Sequence, residues 1–243
     1  MRAFLAWVLM VMLALSPASF AETQDLAPKP LLYLSSFEPV QGGIVYGTAR
    51  EGAQVWLDAR RVPVSEDGRF FLAFHYNAAG TAGLKVRSKD GREDVYDLTI
   101  KPRDFRIERI DGLPQNKVTA PPERQKRIAA EAAIKRKART QRGMHQNWRE
   151  AFIDPVETYR ISGFYGSQRI LNGVPKRPHY GIDLAAPRGT PVKAPAGGVV
   201  TLAEADFWYE GGLIFLDHGH GMQSAFLHLN EVSVKVYQHF DHG

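Results

Sequence analysis

The sequence predicts a mainly β protein: a small N-terminal antiparallel β-sandwich, a basic helical linker, and a C-terminal open antiparallel β-barrel or sandwich. Three observations carry that prediction. Short apolar runs are punctuated by glycine turns at regular spacing from Leu31 to about Lys101. Residues 104–157 change to alanines and long charged side chains around Glu123–Lys137, which favour a helix. From Tyr159 onward glycine-rich turns again separate short apolar strands.

The first element in order is a leader. Phe4 to Leu15 form an apolar run behind Arg2, followed by Ser16-Pro17 and the small-x-small site Ser19-Phe20-Ala21. This reads as a secretory signal over residues 1–21, too short for a membrane span, so no stable anchor is expected after cleavage. Residues 22–30 are polar and proline-bearing, and read as a spacer. The protein is accordingly expected in the cell envelope or outside the cell.

Residues 31–103 supply the sandwich. Ile44-Val45-Tyr46, Val55-Trp56-Leu57, Phe70–Phe74 and Asp94–Leu98 are separated by Gly42-Gly43, Glu51-Gly52, Asp67-Gly68 and Asp90-Gly91. Nothing in this stretch carries chemistry; His75 has no partner nearby in sequence and is expected at the surface or rim. The linker helix has only a thin apolar stripe, Ile128, Ala132 and Ile134. It is read as a solvated span between domains, with docking on an anionic polymer or covering of the site as the alternative. Trp148, Phe152 and Ile153 are expected to tie its far end to residues 158–243.

Composition bounds the function. The absence of cysteine excludes a lipidated N-terminal Cys, a thiol nucleophile, Cys-ligated zinc and disulfides. A formal charge of +5 and a pI near 9.4 favour anionic polymers as partners. For an exported chain those are envelope polymers, and nucleic acid is not expected.

The chemistry concentrates in Pro178-His179-Tyr180-Gly181-Ile182-Asp183-Leu184. It sets an imidazole and a carboxylate four residues apart, two ligand types that hold Zn²⁺ in catalytic sites. Pro178, Gly181 and Pro187 forbid a helix, so the pair belongs to a strand or its flanking loop. Downstream come the turn Trp208–Gly212, the strand-like Leu213–Gly219, and Ser224-Ala225-Phe226-Leu227-His228-Leu229. His228 between two leucines is expected on the opposite face from both.

This order of motifs, over residues 158–236, resembles the lysostaphin/LytM-type zinc metalloendopeptidases, which cut peptide cross-links of bacterial peptidoglycan. The N-terminal sandwich is similar to the Ig-like modules that often precede such peptidases. The resemblance implies that His179 and Asp183 bind Zn²⁺ and that His228 stands beside the metal. There it would hydrogen-bond water or stabilise the oxyanion. His218-Gly219-His220 falls in the family's turn, with His218 as a supporting imidazole and His220 solvated. The family closes its site with a His-x-His pair on a later strand. The sequence runs Val232–Val236 on pattern and then reads Tyr237–Gly243 without that pair. The resemblance therefore implies a C-terminally truncated domain lacking one zinc ligand and the general base, and a chain without hydrolytic activity. Substitution by His239 or His242 is the remaining route to a complete site. The rival class is a non-catalytic envelope protein that binds peptidoglycan or activates another wall hydrolase, with an adhesive role for the sandwich alone as a third.

Overall fold

The computed structural model describes residues 29–35 and 38–241. The expected signal peptide and most of the spacer lie outside the described residues. No helix among the described residues is long and apolar enough to cross a membrane.

The first seven strands form the sandwich: β1 (Leu32–Leu34), β2 (Ile44–Ala49), β3 (Gln54–Leu57), β4 (Arg60–Val62), β5 (Arg69–Ala73), β6 (Thr81–Arg87) and β7 (Glu93–Thr99). They pair antiparallel into two sheets, ordered β1-β2-β5 and β4-β3-β6-β7. Strict alternation along β2 and β6 turns Val45, Ala82, Leu84 and Val86 inward, where they meet Val55, Phe70 and Leu72. Gly47 makes this packing possible, because a Cβ there would stand 2.4 Å from the Phe70 ring. The mainly β prediction and its sandwich hold.

The segment expected as a linker is built into the rest of the fold instead. It opens with β8 (Ile107–Ile110), followed by α1 (Gln115–Val118) and α2 (Gln125–Arg139). β8 pairs parallel with a strand sixty residues on, and Lys176 Nζ bonds the Val118 carbonyl at 2.5 Å. α2 is docked rather than solvated. Ala138 is buried with Leu202, Phe207, Leu213 and Phe215, and the Arg139 guanidinium lies 4.3 Å from the Phe215 ring centre. Glu131, 6% exposed, accepts from Arg127 Nε at 2.6 Å and from the Trp208 N–H at 3.0 Å. Lys135 pairs with Glu210 on the same side. The apolar stripe looked thin because alanine and a partnered glutamate do the burying.

The C-terminal strands are β9 (Arg160–Gly163), β10 (Gln168–Leu171), β11 (Val174–Pro175), β12 (Asp183–Ala185), β13 (Gly198–Phe207), β14 (Gly211–Gly219), β15 (Met222–Leu229) and β16 (His239–Phe240). They form three sheets, ordered β11-β10-β8, β12-β9 and β15-β14-β13-β16. The long hairpins β13-β14 and β14-β15 are antiparallel and broken by bulges, which curl the sheet. Trp148, expected to meet only the C-terminal part, also joins that part to the sandwich. It is 2% exposed and stacks on Tyr46 of β2 at 6.2 Å, against Phe71 of β5 at 5.2 Å, and against His220 at 5.5 Å.

Candidate metal centre

The β9-β12 pair positions the first candidate ligand. Asp183 lies opposite Gly163 in register, and a bulge follows before Leu184. A Cβ on Gly163 would come within 2.2 Å of Asp183 Oδ2, so glycine leaves the room the carboxylate occupies. His179 is fixed from both sides of its backbone. Its N–H donates to the Ser167 carbonyl at 2.9 Å, and its carbonyl accepts from the Gly166 N–H at 2.7 Å.

The ring then has a defined direction. His179 Nδ1 lies 3.3 Å from the Phe164 carbonyl, which only accepts, so Nδ1 carries a proton. Nε2 faces Asp183 Oδ1 at 3.1 Å. Two lone-pair atoms at that separation share either a proton or a cation. Donors bound about 2.0–2.1 Å from one tetrahedral zinc stand roughly 3.3 Å apart, so the pair fits two corners of such a site. A backbone carbonyl on the remote nitrogen is also what orients a metal-binding imidazole. The fit extends to two donors: among the described residues no group of three His, Cys, Asp or Glu side chains is gathered as a metal site. His239 is exposed on β16, and His242 lies outside the described residues.

His228 sits near the end of β15, exposed, with φ at +60°. Its N–H donates to the Glu210 carbonyl at 2.7 Å, and the β14-β15 register shifts between Gly212 and Ile214. Two residues, Leu227 and His228, therefore oppose one, and both are exposed. The expected alternation of His228 against both leucines is broken by this bulge. A left-handed backbone at a histidine is strained, and such strain collects at functional positions. Arg188, in the loop after β12, bonds Asn230 and ties the two sheets together two residues beyond His228.

The His218-Gly219-His220 turn is structural. His218 is fully buried, donates from Nδ1 to the Gly197 carbonyl at 2.7 Å and accepts at Nε2 from Ser224 Oγ at 2.8 Å. Burial holds its pKa below the usual histidine value, so it stays neutral. The expectation that His220 is solvated is corrected: it is 4% exposed, packed against Trp148, and burial lowers its pKa too. Its placement follows from a turn pressed onto the 143–148 segment, where Gly143 accepts the His220 N–H at 2.9 Å. Asp217, beside them, is buried and accepts from the Gly143 and Gly219 N–H groups at 2.6 and 3.1 Å.

Several neighbours of the site had no signal in the sequence. Tyr180 meets Tyr76 at 5.9 Å and His75 at 6.2 Å, and Tyr76 stacks on Phe105 at 4.3 Å. The rim of the sandwich thus packs beside the His179 loop, with His75 exposed there and bonded to Asn77. Arg106 lies 4.1 Å from the Phe164 ring centre, bracing the turn whose carbonyl orients His179.

Comparison with known proteins sets this fold, with its His–Asp pair at the β9-β12 edge, beside a family of peptidases. Residues 177–243 match the model of peptidase family M23. The chain is 37% identical over 92 residues to the peptidoglycan DD-endopeptidase ShyA of Vibrio cholerae, covering 37% of this chain and 21% of that protein. It is 39% identical over 62 residues to a protein named only as a metalloprotease of Haemophilus influenzae, covering 26% and 13%. The chain thus spans about a fifth or less of the length of these relatives. A crystal structure assigned to peptidase M23 from Pseudomonas aeruginosa superposes with a TM-score of 0.64 at 27% identity, covering 85% of this chain and 81% of that one. These matches bear out the LytM-type resemblance read from the motifs and the fold that it implied.

Proposed function

We propose that the C-terminal part of this chain is built for zinc-dependent hydrolysis of peptide cross-links in peptidoglycan, in the cell envelope or outside the cell. The observation that carries the reading is the His179 Nε2–Asp183 Oδ1 approach at 3.1 Å, with Nδ1 held by the Phe164 carbonyl. When bound, zinc supplies Lewis-acid chemistry: it polarises a scissile carbonyl and makes water acidic enough to attack near neutral pH. His179 and Asp183 would hold the ion. Exposed His228, on a left-handed backbone at the end of β15, would hydrogen-bond the attacking water or the oxyanion that develops on the substrate carbonyl. The named activity of ShyA supports a peptidoglycan substrate.

The exposed basic side chains Lys126, Arg136 and Lys137 of α2 offer a surface for anionic envelope polymers. Two protein ligands hold zinc weakly, since catalytic sites keep three. The 243-residue chain alone is therefore proposed to release no muropeptides from purified peptidoglycan. Appending a strand with a His-x-His pair after Val236 should restore release that depends on His179 and Asp183. Any clear release by the unextended chain would contradict its proposed inactivity, and release by the extended chain that survives His179→Ala would contradict the metal site. The lack of a three-ligand cluster among the described residues favours one second reading, a binding protein of the same fold. Retention of the chain on peptidoglycan together with an extended chain that stays inactive would support it.

A further inference from the structure

The two oxygens of Asp183 have different neighbours. Oδ1 faces His179 Nε2 at 3.1 Å, whereas Oδ2 faces Arg169 Nη2 at 3.6 Å. Oδ2 also occupies the space left open at Gly163. Arg169 is itself held from behind: its Nε lies 3.2 Å from Glu108 Oε2. That contact is set by strand register, because Arg169 and Glu108 are direct partners in the parallel β10-β8 pair. A continuous series of polar contacts therefore runs from β8 through Glu108, Arg169, Asp183 and His179 to the Phe164 carbonyl.

We infer that Arg169 is a positioning residue of the metal centre, steering Asp183 so that Oδ1 alone is offered beside His179 Nε2. This inference rests on the metal-site reading above. Three features favour it over an incidental surface ion pair. Arg169 approaches the oxygen turned away from His179, leaving the ligating oxygen free. Its contact at 3.6 Å is an ion pair rather than a tight hydrogen bond, so it orients the carboxylate without tying up its lone pairs. Its own direction is fixed by Glu108, which an untethered arginine would lack. A carboxylate with one oxygen held by a guanidinium ligates through the other, and loss of such a partner weakens metal binding. β8, read in the sequence as linker, thus becomes a part of the site's support.

The test is a zinc titration of the 243-residue protein, followed by the imidazole NMR signals of His179, on wild type, Arg169→Gln, Arg169→Lys and Glu108→Gln. Exposed ion pairs add little to folding stability, so the variants should keep wild-type amide spectra. The expected result is zinc affinity about 10-fold or more weaker in Arg169→Gln. Arg169→Lys should fall between it and wild type, because it keeps the charge and loses the planar fork. Glu108→Gln should shift in the same direction by less, and it also serves should Arg169→Gln fail to fold. Wild-type binding with equal or tighter binding in Arg169→Gln overturns the positioning role alone. Zinc that leaves the wild-type His179 signals unmoved refutes the metal-site reading itself, and this inference falls with it.

Discussion

Replacing Trp148 by alanine should loosen the junction between the sandwich and the C-terminal sheets. The indole is 2% exposed and lies against Tyr46, Phe71 and His220 at 5.2–6.2 Å, so three elements lose their common surface. Truncating a buried aromatic costs about 3–5 kcal/mol. Part of that is offset, because the Trp148 Nε1–H is buried without an acceptor among the described residues, a penalty of roughly 1–3 kcal/mol that alanine removes. The net loss, taken from the centres of those ranges, should be about 2 kcal/mol. Trp148→Phe keeps most of the ring contact and removes the unpaired donor, so it should fall within about 1 kcal/mol of wild type. Urea denaturation followed by far-ultraviolet circular dichroism measures both, and the alanine variant should separate into two transitions as the halves uncouple. A loss below about 0.5 kcal/mol in Trp148→Ala, or equal losses in both variants, would show that the indole does not hold the junction.

Acidification should destabilise the fold through His218 and His220. Burial lowers both folded-state pKa values, so the unfolded chain takes up protons first as pH falls below about 6.5. Stability is full above that pH and drops below it by at most about 1.4 kcal/mol per pH unit for each imidazole, levelling once the folded state protonates. Denaturation at pH 7.5 and 5.5 checks the sign, and His220→Gln should show the smaller drop. Glu131→Ala should release α2 from β13 at a cost of about 1–3 kcal/mol, since it removes the acceptor of Arg127 and of the Trp208 N–H. Hydrogen exchange of the α2 amides should rise with it, and unchanged exchange would count against a docked helix. His228→Gly should leave stability equal or slightly higher, by up to about 1 kcal/mol, because glycine adopts φ +60° without strain. A clear loss on that substitution would show that the ring is a packing residue.

The sandwich was legible because glycine turns and period-2 alternation survive in β2, β5 and β6. The His179–Asp183 pair was legible because both residues lie within one short loop and strand. Long-range pairings were not. β8 carries Ile-Glu-Arg-Ile, and its partner β10 lies some sixty residues on, so no local pattern announces a parallel pair. Arg169 precedes Asp183 by fourteen residues and reads as one more surface charge in a basic chain. The docking of α2 was hidden by alanine, which buries little area, and by a glutamate that is buried only because Arg127 and a backbone N–H satisfy it. At His228 a bulge defeated strand alternation, and nothing in Phe-Leu-His-Leu foretells a bulge. His220 was misplaced because turns are usually wet, whereas this one is pressed onto Trp148.

His179 and Asp183 are proposed to share one metal ion. Anomalous diffraction from crystals of this protein soaked in zinc tests it most directly. A peak is expected about 2.0–2.2 Å from both His179 Nε2 and Asp183 Oδ1, with Arg169 still on Oδ2. A peak ligated by other side chains, or a crystal that takes up no zinc between these two, would contradict it.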